Sequence, residues 1–258
     1  MVFSFIGSGN VATHFAKQVK YYGYSIEQVY SNNLINAQHL SELVGAHPIN
    51  HLSKLNKTAD VYIIAVKDDL LPQIVKSLFL PGKLILHTSG FSPIELLSTV
   101  SDRYGVVWPM RMIRSNTPIN QKMNVVINGN NDSSIQSIHD LFIQFPWKIE
   151  IVNDSKRMKM HVMATFTANF SNHLYQLAFE YCQKENIPFH TLYSIIEQTA
   201  ISIQTNNPSE LQAGPAFRGD ESMIKAHLDL LNGNEDIAQL YQLFSESIGA
   251  TYHQKSNS

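Results

Sequence analysis

The strongest constraint on this chain lies at its start. Val2–Ile6 is a short apolar run that leads directly into Gly7-Ser8-Gly9-Asn10-Val11-Ala12, where the helical pattern Val11–Tyr21 begins. Small residues at these points have a steric meaning. Gly7 permits a tight turn, Gly9 lets a bound group approach the backbone, and Ala12 lets the helix pack close to the strand. The first turn of the helix presents free N–H groups and a partial positive charge, which suit phosphate. G-x-G-x-x-A by itself is a weak signal. Set between a strand and a helix, it reads as a dinucleotide-binding turn, with a ligand-free tight turn as the plainer alternative.

The following residues repeat the strand-then-helix pattern. Ser25–Tyr30 reads as a strand and Leu34–Val44 as a helix. Val61–Val66 is an unbroken apolar run, as expected of a central parallel strand buried on both faces. Leu70–Leu78 reads as a helix, Leu84–Leu86 and Val106–Trp108 as strands, and Val125–Ile127 and Ile149–Val152 as strands flanking a helix near Ser133–Phe145. Such alternation predicts right-handed βαβ units and a mainly parallel sheet, an α/β Rossmann-type domain over residues 1–152.

Beyond Asn153 no strand pattern appears. Asp154–Lys184 reads as one long helix capped by Asn153 or Asp154, followed by helices at Phe189–Gln204, Glu221–Leu231 and Asp236–Thr251. Pro188, Pro208 and Gly214-Pro215 punctuate them. An all-α domain over 153–258 follows, with Lys255–Ser258 as a frayed tail. Met158–Phe170 is apolar on nearly every side and needs cover from its own domain or from a second subunit. A homodimer formed through these helices is the expectation.

Composition excludes several classes. A length of 258 residues fits one large or two modest domains. Lys+Arg number 19 and Asp+Glu 21, so no basic excess points to nucleic acid. The longest apolar run, Val61–Val66, is far short of the ~20 residues that span a bilayer. Met1–Ile6 carries no Lys or Arg and does not read as a signal peptide. The lone Cys182 has no disulfide partner and reads as a buried thiol. Together these predict a reducing, cytoplasmic setting with no membrane partner. No spacing of His or Cys supports a metal site, although His161, His173 and His227 are candidates in principle.

The second strand bears on the choice of nucleotide. An Asp or Glu about 20 residues past the glycines would hold the ribose hydroxyls of NAD. Here the chain reads Ser31-Asn32-Asn33, which carries no charge to repel a 2′-phosphate. NADP is therefore expected, with NAD the lesser candidate. The same residues also suit a helix cap. Val66-Lys67 and His87-Thr88-Ser89-Gly90 follow strands and would lie at the carboxyl edge of the sheet, where ligands bind. The predicted cofactor set is Gly7, Ser8, Gly9, Asn10, Val11, Ser31, Asn32, Asn33, Val66, Lys67 and Ser89.

Gly7–Ala12, Ala59-Asp60-Val61 through Lys67, and Thr88-Ser89-Gly90 resemble pyrroline-5-carboxylate reductase and the wider β-hydroxyacid dehydrogenases. His161–Asn169, Gln198-Thr199, and Gly214–Asp220 with His227 resemble a narrower group: NADP oxidoreductases in which a helical domain of unknown function follows a Rossmann-like domain. The resemblance covers almost the whole chain. It implies a helical dimerisation domain and reductase activity. The dehydrogenases carry a Lys followed four residues later by an Asn on the corresponding helix. Here Lys156 is followed by Met160 and Lys159 by Met163.

Three residues remain as candidates for the chemistry. His161, Thr165 and Asn169 are spaced by four, so a continuous helix puts them on one face. Imidazole is the side chain suited to moving a proton near neutral pH, so His161 can supply one, with Asn169 positioning a carbonyl. A hydrogen-bonded core histidine is the plain alternative. Arg218 can hold a carboxylate bidentately or lock its own loop, and Asp220 is placed to cap the next helix. Trp108-Pro109-Met110-Arg111 can line a substrate cleft or simply pack. The expected function is hydride transfer between NADPH and a small carbonyl or imine. The alternative is a dinucleotide-binding sensor or interaction protein without turnover.

Overall fold

The structure is a computed structural model that describes residues 1–253. The tail expected at Lys255–Ser258 lies outside them. Contacts divide the chain into two compact units, Met1–Phe170 and a second that begins at Ser171.

The first unit is built on one eight-stranded sheet. Its strands are β1 (Val2–Ile6), β2 (Ser25–Tyr30), β3 (His47–Ile49), β4 (Val61–Ile64), β5 (Leu84–His87), β6 (Arg103–Pro109), β7 (Met123–Gly129) and β8 (Trp147–Ile151). They lie in the order β3-β2-β1-β4-β5-β6-β7-β8. Every neighbouring pair is parallel except β6 and β7. The chain runs outward from β1 to β3, then crosses back to place β4 on the other side of β1. The strand order reverses at that point, and the carboxyl ends of β1 and β4 part to leave a crevice. Register keeps the edge level: Ile6 pairs with Tyr30 and Ile64, Tyr30 with Ile49, and Ile64 with His87.

Alternation along the strands sends side chains to two cores. Phe3, Phe5 and Ile63 join one cluster with Phe15 and Leu40, from α1 (Asn10–Tyr21) and α2 (Leu34–Val44). Ile6, Tyr62 and Ile64 join the other with Leu71 and Val75, from α3 (Leu71–Lys76). Both faces of the central strands are thus buried, which explains the continuous apolar run at β4. In the first of these cores, Phe142 of α4 (Asp132–Phe142) meets Phe145 and Trp147 at ring separations of 5.2 and 4.8 Å.

Some local readings change. β3 is a three-residue edge strand containing Pro48, too short to show a pattern and tolerated only because one of its sides is unpaired. β4 stops at Ile64, so Ala65 and Val66 turn away at the sheet edge. The sheet is mainly parallel as expected, and its antiparallel step at β6–β7 is one that hydrophobic pattern cannot express. The long helix is interrupted. α5 (Asp154–Ala164) gives way to a π-helical stretch at Thr165–Phe170 before α6 (Ser171–Lys184). Asn153 caps α5 by accepting from the N–H of Lys156 at 3.0 Å.

Among the described residues the second unit holds α6 and the further α-helices α7 (Tyr193–Ser202), α8 (Pro208–Leu211), α9 (Pro215–Arg218), α10 (Glu221–Leu230) and α11 (Glu235–His253). Asp220 caps α10 by accepting from the N–H of Met223 at 3.1 Å. Cys182 is buried. Apolar side chains of α6, α10 and α11, among them Leu177, Leu230 and Phe244, line a groove of about 620 Å³, and Ile195, Ile201 and Leu243 are exposed. No helix among the described residues is long and apolar enough to cross a membrane.

Phe142 is fully buried in the aromatic cluster. Phe142→Ala should cost about 3–5 kcal/mol by lost burial and the cavity left behind, measured by denaturant unfolding of the purified chain.

Candidate functional site

The crevice between β1 and β4 opens into a cleft of about 1100 Å³. Its centre is the Gly-rich turn. The N–H of Gly7 donates to the carbonyl of Tyr30 at 2.8 Å, which ties the turn to β2. Gly7 has φ +121, and a Cβ on it would stand 2.1 Å from the carbonyl oxygen of Ala65. No other residue type fits that backbone or that approach. Gly9 differs: a Cβ there would meet nothing within 4 Å, so its backbone faces open cleft. α1 begins at Asn10, and its first N–H groups point toward the same space.

Each strand end contributes to the lining. At β2 and β3 these are Ser31, Asn32, Asn50 and His51, with Asn36 from α2. Ser31 is buried and accepts a hydrogen bond from the Ser8 hydroxyl at 2.9 Å, which locks the β2 end to the turn. Asn33 caps α2 instead: its side-chain oxygen accepts from the N–H groups of Ile35 and Asn36, and Asn33 does not line the cleft. No acidic residue stands at this edge of the lining. β4 supplies Ala65, Val66 and Lys67, with Asp68 and Asp69 beyond. β5 supplies Thr88, Ser89 and Gly90, and β6 supplies Trp108 and Pro109, with Arg111 following.

His161 of α5 lines the same cleft. Its ring lies 5.5 Å from that of Trp108 and 6.2 Å from that of Phe91. A Cβ on Gly90 would fall 2.3 Å from its Cδ2, so the imidazole rests on glycine backbone. Of the other two catalytic candidates, Asn169 belongs to this unit and Arg218 to the second. Asn169 is exposed within the π-helical stretch. Its i+4 spacing from Thr165 places it on the His161 face only in a regular α-helix, and i→i+5 turns rotate it away. Arg218 is exposed at the end of α9 in the second unit. His227 hydrogen-bonds the Tyr241 hydroxyl at 2.8 Å beside the apolar groove. Among the described residues no cluster of His, Cys, Asp or Glu can hold a metal ion.

Sequence reasoning missed several residues at the site. Asn50 and His51 follow a strand too short to recognise. Ile113 belongs to the connection between β6 and β7, two residues beyond Arg111, which the sequence offers as a cleft residue. Arg157 is fully buried although nothing about its spacing marks it. His87 is also fully buried, and burial, followed by the nearby Arg157 charge, pushes its pKa down to about 3. It is therefore neutral, and its Nδ1 accepts from the N–H of Ser89 at 3.2 Å.

This geometry defines a class: a Rossmann-like α/β unit with its ligand cleft at the switch point, followed by a helical unit. The comparisons identify the family. Residues 2–89 match the model described as "NADP oxidoreductase coenzyme F420-dependent", and residues 123–248 match a domain of unknown function, DUF2520. A "putative NADP oxidoreductase" from Bacteroides fragilis is 31% identical, with 96% of this chain and 98% of that one covered and a TM-score of 0.86. The chain belongs to this family of NADP oxidoreductases that join the two domains. The fold extends to more distant structures. Pyrroline-5-carboxylate reductase from Streptococcus pyogenes is 15% identical, with 97% and 98% covered and a TM-score of 0.65. An imine reductase from Myxococcus stipitatus in complex with NADP+ is 12% identical, with 100% and 94% covered and a TM-score of 0.70. No curated protein matches the sequence.

Acid should destabilise the first unit through His87. Its pKa is 6.5 in the unfolded chain and about 3 when folded, so the unfolded state binds the extra proton between these values. Stability is then complete above about pH 6.5 and falls as pH drops toward 3. His14, also lowered by burial, acts in the same direction. Thermal melts from pH 7 to 4 should show this fall, and His87→Gln should flatten it.

Proposed function

We propose that the chain binds NADPH across the carboxyl edge of the sheet and passes its hydride to a small carbonyl or imine, with His161 as proton donor. The observation that carries this reading is that His161 and the Gly-rich turn line one cleft. The pyrophosphate would lie at Gly7, Ser8, Gly9, Asn10 and Val11, where free N–H groups and the helix dipole favour it. The adenosine half would extend over β2 and β3, and the nicotinamide over β4 and β5 toward Val66, Lys67 and Ser89. The cofactor supplies the hydride chemistry, and the protein supplies geometry and a proton.

NADP is favoured over NAD by the β2–β3 edge. Asn32, Asn36, Asn50 and His51 offer donors there, without a carboxylate to repel a 2′-phosphate. An imine reductase of the same fold is complexed with NADP+, while a variant imine reductase is complexed with NAD+. The imine reductases and pyrroline-5-carboxylate reductase among those folds make a C=N substrate the first to test. In this reading residues 1–152 bind the dinucleotide, and 153–258 shape the substrate side and pair two copies through the helices. The uncovered apolar side chains of α7 and α11 support that pairing. Arg218 keeps its assigned role of anchoring an acidic group, while the π-helical stretch takes Asn169 off the His161 face on which its positioning role rested. Cys182, a lone buried thiol, suits a reducing cytoplasm.

A second reading, a sensor that binds dinucleotide without turnover, is favoured by the lack of a Lys–Asn pair on α5. The two separate on measurement. NADPH should raise the melting temperature more than NADH, and Asn32→Asp should reverse that order by facing the 2′-phosphate with a carboxylate. A panel of cyclic imines and small carbonyls, followed by NADPH oxidation, should show turnover that falls about 10²–10⁴-fold in His161→Ala. Tight NADPH binding with no turnover across the panel would select the sensor.

A further inference from the structure

Arg157 heads the fully buried side chains by volume, yet the proposed reaction does not use it. It precedes His161 by four residues on α5, so the two share a helix face. Its guanidinium reaches across to the loop after β5. Nη1 donates to the carbonyl of Ser89 at 2.6 Å and Nη2 to that of Ser92 at 2.6 Å. Nη2 also meets the Asp154 carboxylate at 2.9 Å. Asp154 in turn accepts from the N–H of Ile94 at 2.7 Å and from the Asn128 amide at 3.4 Å. Within the loop, the Ser89 hydroxyl accepts from the N–H groups of Phe91 and Ser92 at 3.0 and 2.8 Å. The loop is closed on itself and tied to α5 at Ser89 and at Ser92.

An apolar side chain would fill this space without the cost of burying a charge. The guanidinium adds a planar fork that holds two carbonyls at a set spacing. Between those carbonyls lies Gly90, the residue on which the His161 ring rests. A Cβ there would also come within 2.7 Å of the Trp108 indole.

We propose that Arg157 is a positioning residue: by gripping the Ser89–Ser92 loop it sets where the His161 ring stands at the β5–β6 end of the cleft. The inference rests on the proposed NADPH function for the identity of the ligand at that end.

The test uses the full chain and two probes. NADPH has the nicotinamide, and 2′-phospho-ADP-ribose keeps the adenosine and pyrophosphate but lacks it. Arg157→Lys retains the charge and loses the fork. The advantage of NADPH over the fragment should fall about 10–100-fold while fragment affinity is unchanged, because only the nicotinamide end is disturbed. The His161 imidazole resonances of the ligand-free protein should shift as well. Equal weakening of both probes, or no change in either, would overturn the proposal. If Arg157→Lys does not fold, Gly90→Ala leaves Arg157 in place and displaces the His161 ring. It should show the same selective loss, and an intact NADPH advantage there would also overturn the proposal. A wild-type chain that binds neither probe rejects the NADPH function instead, and the His161 resonances of Arg157→Lys then decide the positioning role.

Discussion

The cleft depends on one close approach, that of Gly7 to the carbonyl of Ala65. A side chain at Gly7 would overlap that oxygen, so the turn after β1 can pass the end of β4 only as bare backbone. The N–H of Gly7 is bound to Tyr30 on the opposite side. The turn is thereby held between β2 and β4, and the start of α1 is set over the switch point. The elements beside it are arranged around this turn. Ser8 reaches Ser31 from it, Gly9 opens from it, and the β4 and β5 ends face it.

The unit also shows how polar groups are spent away from solvent. His87 and Arg157 are both fully buried and act on the same loop. Burial keeps the imidazole neutral, so it can accept from Ser89. The guanidinium remains charged and is met by two carbonyls and a carboxylate. The pair does not line the cleft, whose surface mixes glycine backbone, amides and hydroxyls with apolar side chains and with Lys67, Asp68, Asp69 and Arg111.

Much of the fold was legible in the sequence because its signals are local. The apolar run at β4 follows from burial on both faces, and the helix α2 was read to its ends from apolar spacing and an Asn cap. The cleft was legible where it is built from a contiguous motif or from strand ends. Gly7 through Val11, Ser31, Asn32, Val66, Lys67 and Ser89 all line it. Asn33 has the right composition for the site, and its side-chain oxygen is taken by the helix it caps. Asn169 has the right spacing, and a π-helical stretch removes the regularity on which spacing depends.

By itself the sequence determined the Gly-rich turn, the α/β-then-α order and the absence of an acid after β2. Each depends on sterics or chemistry within a few residues. Only the tertiary structure decided that β7 runs against β6, that Asn50 and His51 stand at the cleft edge, and that His161 joins it. These rest on contacts between distant segments. Arg157 is the clearest case: its partner Ser89 lies 68 residues away, and no local pattern can encode a bond across that separation.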